Sequence, residues 1–198
     1  MYEQIRVKIK GITPTCQHNG QLADPLNKWS KAMKAITGKG KKKTDEDIAE
    51  LSRLEWMGSL YADGTEPGLV VSGRIGWPGD NLEALIRSAA KATKQGKDVQ
   101  RGILVDGFFP MEYDGPKDID KLFTDERFRM VNGVKVGASR VMRTRPAFPT
   151  WSLEFTIDYL PNQLNKSDIE GFMEYAAINV ALSDRRPKYG RFEVVQFD

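Results

Sequence analysis

Ile5, Val7 and Ile9 alternate with Arg6, Lys8 and Lys10. That is the two-residue period of a half-buried strand with a basic outer face. From Asp24 the period lengthens to that of a helix: Asp24 can cap, Pro25 suits a first turn, and Leu26, Trp29, Met33 and Ile36 form one stripe. Thr44 and Asp47 spell the cap of a second helix carrying Ile48, Leu51 and Leu54. A third helix is predicted after Pro78, with Asp80 and Glu83 as its capping box, burying Leu82, Leu85, Ile86, Ala89 and Ala90 and turning Arg87, Lys91 and Lys94 to solvent. Residues 101–110 read as a buried strand and residues 119–123 as a short helix. Residues 134–145 and 151–159 read as two further strands, the second alternating Trp151, Leu153, Phe155, Ile157 and Tyr159 with polar positions. Ser167 and Glu170 frame a last helix carrying Ile169, Phe172, Met173, Ala176 and Val180, and residues 191–197 close the chain as a strand.

With insertions set aside, the order strand, helix, strand, strand, helix, strand predicts an α+β protein: a ferredoxin-like or RRM-type antiparallel sheet with two packing helices. The first of those helices begins near Asp80, so residues 11–70 are expected to be a large helical insertion after the first strand. At 198 residues, 40% of them hydrophobic, the chain is expected to be a single domain spanning 1–198.

Charge changes the picture by its distribution, since the net value is a mild +3. Between residues 1 and 43 ten cations stand against Glu3 and Asp24, a local positive field. Cys16 is the single cysteine, which excludes an internal disulfide or a thiolate-rich zinc site and fits a reducing cytoplasm. No stretch has the apolar length of a membrane span, and nothing marks the chain for export. No cofactor, metal or membrane partner is expected.

Lys135, Arg140, Arg143 and Arg145 lie in a stretch without acids, followed by Phe148 and Trp151. Strand alternation would put Lys135, Gly137, Ser139, Arg143 and Arg145 on one side, where cations can follow a phosphate backbone while an aromatic supports a base. The alternative is a solvated strand whose arginines pair with Glu154 and Asp158. The same two readings apply to Lys39, Lys41, Lys42 and Lys43 in their glycine loop: a soluble tip, or a cationic clamp for a single strand. That loop lacks the Gly-Lys-Thr/Ser of a nucleotide-binding P-loop. His18 and Asp24 could be a general base and its neighbour, or a polar loop residue and a helix cap. No paired carboxylates, nucleophile elbow or metal-ligand cluster stands out, so no catalytic residue is assigned.

The stretch Pro78-Gly79-Asp80-Asn81-Leu82-Glu83-Ala84-Leu85-Ile86-Arg87 resembles the P-G-S-S-L-K-G-x-x-R box of the CRISPR RAMP superfamily, with acids and Ala84 where that box has serine, lysine and glycine. Gly190-Arg191-Phe192 is similar to that family's glycine-rich loop and closing strand. The overall pattern also resembles a family of uncharacterised phage proteins, which would place the chain in a bacterial host cytoplasm. The RAMP resemblance implies a protein that binds single-stranded RNA or DNA and assembles along the strand as a homo-oligomer or filament, with Arg87 and Arg191 added to the contact set. A metal-independent RAMP-type ribonuclease using His18 or Asp24, and a phage factor engaging a host defence complex, are the alternatives.

Overall fold

A computed structural model describes residues 1–64, 66–137 and 139–198, without the side chains of Val136 and Ser139. Its strands are β1 (Glu3–Gly11), β2 (Thr15–Cys16), β3 (Gly76–Pro78), β4 (Ile103–Leu104), β5 (Phe108–Tyr113), β6 (Arg129–Val136), β7 (Ser139–Phe148), β8 (Trp151–Tyr159) and β9 (Phe192–Phe197). Its helices are α1 (Lys28–Thr37), α2 (Asp45–Ser59), α3 (Gly79–Ala90), α4 (Gly96–Gly102), α5 (Ile119–Thr124) and α6 (Lys166–Tyr175). The strands form a six-stranded sheet in the order β3-β5-β8-β1-β9, with β4 also on β8, and a three-stranded sheet in the order β2-β7-β6. The fold class is α+β.

The chain divides into two compact units, one made of residues 1–15, 75–114 and 149–198 and the other of 16–74 and 115–148. Segment 11–70 therefore falls largely in the second unit, which it shares with residues 115–148.

In the first unit β1 pairs antiparallel with β8 and β9, and β5 pairs antiparallel with β8. With α3 before β5 and α6 before β9, the arrangement is ferredoxin-like. Ile5, Val7 and Ile9 and the odd-numbered residues of β8 are buried, while Arg6, Lys8, Lys10 and Glu154 are exposed, so the helices cover one face. Leu82, Leu85, Ile86, Ala89 and Ala90 of α3 are buried as the period predicts.

The start of α3 differs from expectation. Pro78 is its N-cap position and makes no side-chain cap bond. Glu83 is drawn away by tertiary structure, where its Oε1 accepts the Val105 N–H at 2.8 Å. Gly79 N–H donates to Gly107 O at 2.8 Å, and a Cβ on Gly79 would lie 1.7 Å from Val105 O. Glycine is thus required for close backbone approach. The last helix likewise is capped by Asn165 and Asp168, two residues earlier than Ser167 and Glu170. Residues 101–110 divide among α4, β4 and β5 instead of forming one strand.

In the second unit α1 begins at Lys28, because Asn27 accepts the Trp29 N–H at 2.9 Å. Asp24 instead closes a turn by accepting from Leu26 N–H at 2.8 Å. The Thr44–Asp47 capping box opens α2 as predicted. Buried Trp29 and Trp56 anchor this unit's core. Trp56 Nε1 donates to Phe128 O at 2.8 Å, and Phe128 meets Phe148 edge-on with ring centroids 6.0 Å apart.

Candidate nucleic-acid interface

Residues 134–145, expected as one strand, are the two arms of a hairpin. The chain reverses at Gly137, whose φ of +60° lies in the left-handed region that glycine adopts without strain. Ala138 and the side chain of Ser139 fall outside the described residues. Across the hairpin Lys135 pairs with Arg140, Asn132 with Arg143, and Met130 with Arg145. Direct partners share a face and successive residues alternate. Lys135 and Arg140 therefore face one way, and Arg143 and Arg145 the other. This corrects the single row of cations read from the sequence.

Arg143 and Arg145 converge on Glu55 of α2. Their Nη1 atoms lie 2.9 and 3.1 Å from Glu55 Oε1, while Thr144 N–H donates to Glu55 Oε2 at 2.9 Å. Ser52 Oγ lies 2.7 Å from Thr144 Oγ1, fixing helix and strand together at the adjacent turn. Glu55 is 7% exposed, Arg145 13% and Arg143 38%. The ion pairs are thus with a carboxylate of a distant helix, and not with Glu154 or Asp158 as the alternative reading had it. Glu55 was not singled out in the sequence. Its signal was indirect: a strand carrying several cations and no acid needs a counter-charge from elsewhere if it is to be half-buried.

Lys135 and Arg140 are both exposed, and among the described residues neither has an ion-pair partner. Exposed Met142 shares their face. Phe148, considered as a base support, is instead a core residue, whereas Trp151 lies in the core as the alternation of its strand predicts. Trp151 Nε1 is spent on Thr13 O at 2.9 Å.

The lysine loop folds as a 3-10 turn over Gly40–Lys42. Lys39 pairs with Asp47 at 2.5 Å, which holds that carboxyl below the usual carboxylate range, and Lys43 Nζ donates to Gly40 O at 2.7 Å. Lys41 and Lys42 are exposed, and among the described residues neither side chain has an ion-pair partner. In the first unit Arg87 lines an open cleft of about 550 Å³ together with Lys91, Lys94 and Lys97. Arg191 is exposed, with its Nε donating to Pro187 O at 3.0 Å. In the same loop Arg185 and Lys188 lie 5.8 and 5.5 Å from the Tyr189 ring centre.

The open face of the large sheet carries Gln4, Arg6, Lys8, Lys10, Ser152, Glu154, Thr156 and Asp158. Its charges are of both signs and these positions hold no aromatic, so they form no stacking platform of RRM type. His18 Nδ1 lies 3.5 Å from Ser59 Oγ, and the Asp24 carboxylate is occupied by its turn. Among the described residues no group of three or more His, Cys, Asp or Glu could hold a metal ion, and no helix is long and apolar enough to cross a membrane.

No family model matches the chain, and no curated protein sequence matches it. Among solved structures it is similar to a chain of the cryo-EM structure of the Type III-B Cmr-beta bound to cognate target RNA. The TM-score is 0.48 at 14% identity, and the match covers 100% of this chain and 60% of that one.

Proposed function

We propose that the protein binds single-stranded nucleic acid, with Lys135 and Arg140 at the tip of the β6–β7 hairpin as principal contacts. The carrying observation is that two like charges stand directly opposite each other on an exposed strand pair with no acid between them. Such a pair is destabilising in a free hairpin, and a polyanion offsets the repulsion on binding. Arg143 and Arg145 face the other way and are engaged with Glu55, so they are not among the principal contacts. Lys39, Lys41, Lys42, Lys43 and Arg191 complete the contact set in this reading. The resemblance of Pro78 to Arg87 to the RAMP box supports the same function and adds side-by-side assembly of copies along the strand.

The test is titration of labelled single-stranded RNA, single-stranded DNA and duplex at several salt concentrations, with wild type and the Lys135→Gln/Arg140→Gln variant. Single strands are expected to bind more tightly than duplex and to weaken with salt. The variant should flatten the salt slope by roughly one for each lost phosphate contact. Absence of salt-dependent binding to all three nucleic acids overturns the reading.

A further inference from the structure

The first unit holds a second concentration of cations. Arg87 and Lys91 follow one another at the C-terminal end of α3, Lys94 ends the 3-10 turn that continues it, and Lys97 stands in the first turn of α4. With Gly96 and Gln100 they line the cleft of about 550 Å³. None of its lining residues is acidic or aromatic, and among the described residues none of the four cations has an ion-pair partner. Gly96 brings α4 close: a Cβ there would lie 3.0 Å from Lys91 Cγ, so the Lys91 stem is packed across the corner.

Ordinary helix electrostatics explains part of this cluster and fails for the rest. Cations are favoured at a helix C-terminus, which accounts for Arg87 and Lys91. Lys97 occupies the opposite situation, in a first turn, where the helix dipole disfavours a cation. Lys94 has a φ of +65°, with its N–H bonded to Lys91 O and the next amide, of Gln95, bonded to Ala90 O. Those two bonds make Lys94 the residue after the helix end that most often is glycine, because a side chain there is strained. Two of the four cations therefore sit where local stability argues against them.

We propose that this cleft takes consecutive backbone phosphates of a single-stranded nucleic acid without reading its bases. The proposal rests on the nucleic-acid reading above and assigns it a further site. Spacing along the chain fits from Arg87 to Lys91, where four residues of α-helix rise about 6 Å, and over the 3-10 turn that follows Lys91, where three residues rise about as much. That is close to the step between neighbouring phosphates of an extended strand. The lack of an aromatic lining predicts indifference to sequence, since stacking is what single-strand sites use to grip bases.

The experiment is fluorescence anisotropy of labelled 20-nucleotide rU and rA homopolymers with the full chain, across a salt series, for wild type, Lys91→Gln/Lys97→Gln, and Lys94→Gly. The double variant is expected to lose about tenfold in affinity at low salt for both homopolymers and to flatten the salt slope by roughly two. Lys94→Gly should weaken binding of both while leaving the thermal midpoint unchanged or raised, because glycine relieves the left-handed residue. That second variant separates lost charge from lost fold. If wild type binds and both cleft variants bind equally well, the cleft proposal is overturned and the hairpin reading stands. Loss confined to one homopolymer overturns the backbone mode of contact. If wild type binds neither these homopolymers nor their dT and dA counterparts, the nucleic-acid reading fails and takes the cleft with it.

Discussion

Glu55 shows how much a single carboxylate can organise. It accepts a backbone amide from β7 and two guanidinium groups, and it does so almost fully out of water. Removing one partner of a buried ion pair strands the other charge, at a cost of about 3–5 kcal/mol. Glu55→Ala should therefore shift the urea midpoint strongly, since it removes the one buried carboxylate shared by Arg143, Arg145 and the Thr144 amide. Arg143→Ala should cost less than about 1 kcal/mol, because that side chain is more than a third exposed and solvent screens its share. Equal shifts for the two variants would show that Glu55 is held by something other than this clamp. A second carboxylate acts at the surface, where Asp63 accepts the Arg74 backbone N–H at 2.6 Å and the Arg74 Nε at 2.9 Å. These bonds, the backbone one first, hold its carboxyl below the usual range. A lowered folded-state pKa means that the stabilisation is present above the unfolded value, near 3.9, and is lost as pH falls through the folded value. The Asp63–Arg74 contact should accordingly persist at neutral pH and loosen only below about pH 4. Amide exchange at Arg74 followed against pH would check this.

At the scale of elements, β1, β8 and α3 were legible because each buries one face against its surroundings, and burial writes itself as a period. The α3 start was not legible. Its capping signal, Asp80 with Glu83, was outbid by a contact 22 residues away, the bond from Val105 N–H to Glu83. Gly79→Ala, which helix propensity alone would favour, should lower the melting temperature, because the added Cβ meets Val105 O and overpacking of this kind costs about 1–3 kcal/mol. The hairpin misled for a different reason. Its arms pair Lys135 with Arg140, positions of opposite parity, so a reader who carries alternation through the turn assigns the second arm to the wrong face. Asn132-Gly133, the stronger turn signature by composition, lies instead within β6. Of the candidate site, the positions of the cations were readable and their grouping was not. Whether a cation faces solvent or a buried acid depends on Glu55, which comes from a helix nearly ninety residues earlier.

For the whole molecule, a net charge of +3 is too small to draw a polyanion by itself, so any binding must come from local clusters such as the hairpin tip and the α3–α4 cleft. Each unit is assembled from segments far apart in sequence. All of the second unit lies before Trp151, whereas both neighbours of β1 in the large sheet, β8 and β9, come after Pro149. Synthesis proceeds from the N-terminus at about 5–20 residues per second. From Gly11 at the end of β1 to Trp151 at the start of β8 is 151 − 11 = 140 residues, so the strand waits roughly ten seconds on a ribosome for its first sheet partner. During that interval it is an edge offered to any other nascent chain, and charged positions on a strand are how such an edge is blunted. Arg6, Lys8 and Lys10 thus guard the unfinished protein. Replacing all three with Thr should leave the melting temperature of purified protein nearly unchanged and raise the fraction lost to inclusion bodies during expression.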